Sequence, residues 1–159
     1  MTTHQNEKSE KSEKPKSPRR VSREYAVQTL YTWQLAPLGL EQLLTDFAAQ
    51  HSFEHADIAY WRELVTQGVR HGDELDECLQ AFISRATHEL GPVEHAILHI
   101  AIYELRDRVD IPYRVIINEA IDLAKYFGAA DSHRFINGAL DAAAKKLRPI
   151  EVAARTARK

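Results

Sequence analysis

The stretch Gly91-Pro92-Val93-Glu94-His95-Ala96-Ile97-Leu98-His99-Ile100-Ala101-Ile102-Tyr103-Glu104-Leu105 decides the fold. Glycine followed by proline opens a helix cleanly, because the N–H that proline lacks has no partner in a first turn anyway. From Val93 to Leu105 the apolar side chains are not confined to one stripe and cover most of the circumference. A helix that is apolar nearly all round belongs at the centre of a bundle, with other helices on every side.

Working outward, both flanks also read as helix, and no segment shows the sustained period-two alternation of a strand. Pro37 and Gly39 stop a first helix predicted over about residues 22–36. A second follows over 41–50 and a third over 56–71, with Gly72 as its stop. Asp73 is placed to cap a fourth helix that runs to about residue 90. The central helix extends to about residue 107. A sixth starts after Pro112 and ends at Phe127 with Gly128 as its cap. The seventh begins at Asp131 or Ser132 and ends before Pro149. Short connectors between about seven helices predict an all-α bundle. The seventh helix carries a clean stripe of Ile136, Ala139, Leu140, Ala143 and Leu147. At ~100° per residue, Phe135 falls ~100° off the centre of that stripe.

A chain of 159 residues suits one domain, or two small sub-bundles sharing an interface. The single cysteine, Cys78, excludes an internal disulfide framework and fits a reducing compartment. No stretch approaches the ~20 apolar residues that span a bilayer, and no apolar segment follows the basic N-terminus, so the expectation is a cytoplasmic, soluble protein. The net charge of −2 hides an asymmetry. Residues 1–23 carry seven Lys and Arg against three Glu, and residues 145–159 carry six against one. An acidic body between basic ends suits a localised contact with a polyanion, although basic ends are as readily solvated tails. Residues 1–17, rich in Lys, Glu, Ser and Pro, are expected to be a disordered basic tail. The helical domain covers 18–149, and 150–159 reads as a basic C-terminal tail.

Two segments carry candidate chemistry. In Arg19-Arg20-Val21-Ser22-Arg23, closely spaced arginines could fork onto phosphate oxygens. Cations at a helix N-terminus oppose the macrodipole, and three of them there suggest a use. In Asp131-Ser132-His133-Arg134-Phe135-Ile136-Asn137-Gly138, consecutive Asp, Ser and His at a helix start cannot converge as a catalytic triad. Asp131 or Ser132 is better read as the N-cap, with His133, Arg134 and Phe135 projecting from the first turn. An arginine beside an aromatic can hold a phosphate and stack a base, while packing on a neighbouring helix is the plainer role for Phe135. His51 and His55, and His95 and His99, share an i, i+4 spacing that ligand pairs use, but no further ligand pattern accompanies either. No glycine-rich phosphate loop appears, and neither metal nor cofactor is expected. Glu104, Asn118 and Glu119, set among apolar residues, are expected to pair with one another or cap neighbouring helices.

The run 91–105, Ile111-Pro112-Tyr113, Val115, Ile117-Asn118-Glu119-Ala120, Leu123-Ala124-Lys125, Phe127-Gly128 and the segment 131–138 together resemble the bacterial NusB family of transcription antitermination factors. Arg23-Glu24, Ala26-Val27-Gln28, Leu30-Tyr31 and Trp33-Gln34-Leu35 are similar to the family's first helix. The likeness spans about residues 18–149. It implies an all-α fold in two packed helical sub-bundles. It further implies a non-enzymatic protein that binds the boxA element of ribosomal-RNA leader transcripts, a single-stranded RNA, together with NusE, a ribosomal small-subunit protein. The pair helps to assemble a processive antitermination complex on RNA polymerase. Carried over by position, the RNA-binding residues are Arg19, Arg20 and Arg23, then Phe135 with Asp131 and Arg134, and Phe82, where relatives can carry a tyrosine. Glu94 falls in the region facing NusE. Some relatives form homodimers, so a homodimer stays possible. Val21 and Ser22 interrupt the arginine run, and Phe82 lacks a hydroxyl. The same module occurs fused to RNA methyltransferases, but 159 residues leave no room for that domain. The alternative from another class is a helical protein–protein adaptor that does not itself bind RNA.

Overall fold

The computed structural model describes residues 15–128 and 131–157. Among these there are eight α-helices and no strand: α1 (Pro18–Leu35), α2 (Leu40–Gln50), α3 (Ile58–Arg70), α4 (Gly72–Gln80), α5 (Pro92–Asp107), α6 (Tyr113–Tyr126), α7 (Ser132–Leu147) and α8 (Pro149–Ala157). One turn of 3-10 helix, Thr87–Glu89, precedes α5. Most of the expected N-terminal tail, residues 1–14, lies outside the described residues.

All ten residues from Ala96 to Leu105 are buried, as an all-round apolar helix requires. Helices α1, α3 and α4 pack on α5 from the N-terminal half of the chain, and α6 and α7 from the C-terminal half. One hydrophobic cluster runs through both groups. Ile97, Leu98, Ile102 and Leu105 are fully enclosed, each contributing roughly 1.5–3 kcal/mol relative to exposure. The stripe predicted on α7 faces this core, with Ile136 and Leu140 buried completely.

Helix α4 opens at Gly72 with His71 at its cap, so Asp73, the expected cap, lies in its first turn; three further boundaries differ from the sequence expectation, each for a local reason. Helix α1 starts four residues before Ser22, because Ser17 caps it by accepting from Arg20 N (3.1 Å) and Pro18 fills its first turn. Ser22, freed from capping, is buried and ties α1 to the start of α3: its hydroxyl donates to Asp57 O (2.6 Å) and accepts from Asp57 N (2.9 Å). Helix α4 ends at Gln80 rather than near residue 90. The Gln80 amide donates to Arg85 O (2.7 Å) and accepts from Thr87 N (3.1 Å), which latches 81–86 as a closed loop. From Pro149 the chain forms α8, over most of the span read as a basic C-terminal tail. The proline that ends α7 also opens a new helix, since it fits a first turn. The predicted cap at Gly128 is present, with φ +75.

Two buried charges organise the bundle. Arg148, only 7% exposed, lies across the C-terminal end of α5. It donates to the carbonyls of Glu104, Leu105, Arg108 and Ile111 at 2.7–3.1 Å, at the helix end and the turn after it; those of Glu104 and Arg108 also accept from the backbone N–H of Arg108 and Ile111. Glu151 then accepts from Arg148 (2.7 Å) and from Tyr113 N (2.9 Å), which fixes α8 against the start of α6. The second charge is Glu104, 1% exposed. It accepts from Arg23 Nη2 (2.8 Å), from Arg23 Nε (3.2 Å to both oxygens) and from the Tyr60 hydroxyl. Helices α1, α3 and α5 are thereby joined at one point. Removing one member of a buried pair leaves the other charge without compensation. Arg23→Ala is therefore expected to lower unfolding free energy in urea by about 3–5 kcal/mol. Lys146→Ala, at an exposed position on α7, should stay within about 0.5 kcal/mol. Equal, small losses would show that the pair does not hold the bundle.

Candidate nucleic-acid interface

The arginines entering α1 occupy three different environments. Arg19 is half-buried, with its guanidinium 4.6 Å from the centre of the Tyr60 ring. Arg20 meets Glu119 through two bonds (3.0 and 3.1 Å) and Asp122 through a third (2.5 Å), both acids on α6. The hydrogen bond to Glu119 is the main reason its pKa is raised. Arg23 is 3% exposed and turned inward onto Glu104. The placement of cations at a helix N-terminus thus has a physical account for two of the three: carboxylates from α5 and α6 balance Arg20 and Arg23. Glu104 and Glu119 are structural, as expected, but their partners are these arginines, whereas Asn118 is exposed. Of the three arginines, Arg19 and Arg20 keep partial access to solvent and Arg23 does not.

The start of α7 meets the loop that follows α4. Asp131 is the exposed N-cap residue, without a side-chain capping bond, and Arg134 is exposed. Phe135 and Phe82 are both half-buried against the core. Arg85, from the 81–86 loop, lies over the Phe135 ring with 3.9 Å between guanidinium carbon and ring centre. The same guanidinium faces Glu94 at 3.8 Å. Glu94, whose side chain is 15% exposed, and Phe135 are thus linked through one arginine. A planar cation on an aromatic ring, beside an exposed Arg134, offers both a stacking platform and donors for phosphate. Sequence reading missed Arg85 because residues 81–90 read as a continuation of the fourth helix. The signal available was Gln80, whose side chain competes with the backbone for the groups that would continue the helix.

The histidine pairs separate clearly. His51 stacks on Phe47, ring centres 3.8 Å apart, and its Nδ1 lies 3.0 Å from Phe47 O. His95 and His99 instead converge with Asp76 of α4, and the three could hold a metal ion. Burial holds His99 below the ordinary imidazole range, against the opposing hydrogen bond to Asp76. Burial works to raise Asp76, but hydrogen bonds from His95 and His99 outweigh it and keep the carboxyl well below the usual range. No helix among the described residues is long and apolar enough to cross a membrane.

Comparison with known proteins places this architecture. Residues 20–145 match the model of the NusB family. The transcription antitermination protein NusB of Sodalis glossinidius is 47% identical over 131 residues, covering 82% of this chain and 94% of that protein. The same-named protein of Pseudoalteromonas atlantica is 46% identical over 134 residues, covering 84% and 96%. Among solved structures, T. maritima NusB superposes with a TM-score of 0.71 at 28% identity, over 82% of this chain and 92% of that one. A chain from a crystal structure of the antitermination factors NusB and NusE in complex with dsRNA gives 0.69 at 25% identity, over 80% and 96%. With most of its length matched in sequence and in fold, this chain belongs to the NusB family.

Proposed function

We propose that this chain is a cytoplasmic transcription antitermination factor that binds boxA-type RNA together with NusE and helps assemble the antitermination complex on RNA polymerase. The observation that carries this reading is the close superposition on a chain from the NusB–NusE–dsRNA complex. The surface chemistry agrees. Arg85 over Phe135, with Arg134 and Asp131 alongside and Phe82 at the root of the same loop, supplies an aromatic platform and cationic donors. Arg19 and Arg20 add partly exposed positive charge at the start of α1. Arg23 contributes by holding α1 in place through Glu104. Glu94 orients Arg85 and lies where NusE is expected to approach. The role is one of binding and recruitment, with no catalytic step.

The pairing of Arg20 with Glu119 and Asp122 favours one rival, the protein–protein adaptor, because compensated arginines attract phosphates less strongly. Salt dependence separates the two. For the double variant Arg19→Ala, Arg20→Ala, the log–log slope of boxA-type RNA affinity against salt should shrink by roughly 0.7 for each lost phosphate contact. A slope unchanged from the natural chain moves RNA away from α1 and supports the adaptor.

Stacking is tested at Phe135. Phe135→Ala should lower RNA affinity by about 1–3 kcal/mol if a base stacks there. Its cost to stability should be smaller than that of Leu140→Ala, whose cavity in the core is worth roughly 2–5 kcal/mol. Parallel RNA titration and urea unfolding of both variants decide it. The reverse order of stability losses would make Phe135 a core residue and remove it from the site.

A further inference from the structure

The meeting of Asp76, His95 and His99 lies apart from the residues assigned to RNA. His95 and His99 stand one turn apart on α5 and therefore share a face. Both Nε2 atoms point at one atom, Asp76 Oδ1, at 2.5 and 2.6 Å. The other nitrogen of His95 fixes which proton the ring carries. Gln34 donates its amide N–H groups to Pro92 O (3.0 Å) and Leu30 O (3.4 Å), so the Oε1 end of that amide is turned to His95 Nδ1, 3.2 Å away. An amide oxygen only accepts, so Nδ1 bears the hydrogen. With that hydrogen on Nδ1, a hydrogen bond from Nε2 to Asp76 needs a second proton on the ring; without it, the Nε2 lone pair faces a carboxylate oxygen. Two acceptors at 2.5 Å repel unless a cation lies between them.

We propose that Asp76, His95 and His99 form a binding site for a divalent transition-metal ion of the zinc type, with water completing the coordination. Two imidazoles and one carboxylate are a donor set that suits zinc, and three protein ligands leave one position open. The carbonyl of Gln34 on the distal N–H of His95 is the outer-shell contact that orients a metal-binding imidazole. The open position has room. A cavity of about 190 Å³ adjoins the three ligands, walled by Leu30, Trp33, Gln34 and Asp73, whereas one water occupies about 30 Å³. Tetrahedral zinc with bonds of about 2.0–2.2 Å sets its ligand atoms about 3.3 Å apart. The three ligand atoms already lie within 4.8 Å of one another; Asp76 Oδ1 reaches the tetrahedral spacing from the two nitrogens by withdrawing under ~1 Å, and its side chain, 28% exposed, has the freedom to do so. The bound ion clamps α4 onto the central helix α5.

The test is calorimetric titration of the full chain, stripped with chelator, with zinc chloride alone, alongside thermal melts. One equivalent is expected to bind and to raise the melting temperature, as a ligand of the native state must. Asp76→Asn keeps the shape of the side chain and His95→Gln roughly its reach, and each should weaken zinc binding at least about tenfold, while Gln34→Leu weakens it about tenfold or more through the outer shell. His51→Gln should leave it unchanged. A second measurement needs no variant: Co2+ added to the natural chain should give the intense visible absorption of a four-coordinate, nitrogen-ligated ion. Failure to bind one equivalent, equal binding in Asp76→Asn and His95→Gln, or a cobalt spectrum like that of the aqueous ion would overturn the site. The cation between His95 and Asp76 would then be a proton.

Discussion

The contact between Arg23 and Glu104 constrains everything around it. Taking both charges from water costs several kcal/mol per ion, and their attraction offsets that cost only with good geometry and further hydrogen bonds. The structure supplies both: two guanidinium nitrogens on the carboxylate, and a tyrosine hydroxyl besides. Burial first, and then the adjoining Glu104 carboxylate, push the Tyr60 phenol far above its usual value, so Tyr60 stays a donor at any ordinary pH. Because Arg23, Tyr60 and Glu104 sit on α1, α3 and α5, the orientation of three helices is specified by groups that tolerate no slippage. An apolar contact would permit a shift of one turn along α5, whose surface is apolar nearly all round. This pair does not.

Arg148 solves a complementary problem at the same, C-terminal end of the central helix. A helix C-terminus gathers carbonyls with spare acceptor capacity, and one guanidinium donates to four of them around the end of α5 and its following turn. The two arginines lock the central helix at successive levels, one through the side chain of Glu104 and the other through its backbone carbonyl. Charges that composition assigns to basic ends are thus partly internal. Among the arginines proposed for recognition, Arg19, Arg20, Arg85 and Arg134 each keep some exposure.

The central helix was legible because its pattern is extreme: no amphipathic alternative accounts for Val93 to Leu105. The α7 stripe and the Gly128 cap were legible for the same reason, since periodicity and glycine are local signals. Arg23 was not. Its partner stands 81 residues away, and an arginine destined for burial looks like one destined for phosphate until the fold joins them. Asp76 was hidden in the same way, 19 and 23 residues from the histidines it meets. The early end of α4 depends on a side-chain latch by Gln80 that competes with helix propensity, and it concealed Arg85. The final helix was masked by a basic composition typical of tails.

A double-mutant cycle on Arg23→Met and Glu104→Met tests the central claim most directly, with unfolding free energy and RNA affinity measured on each variant. If the pair is structural, each single variant is destabilised by a charge left unpaired, and the double variant recovers much of the loss, giving a coupling energy of about 1–3 kcal/mol. The folded double variant should then bind RNA as the natural chain does. Additive losses with no coupling, or a folded double variant that no longer binds RNA, would contradict the account and return Arg23 to the RNA surface.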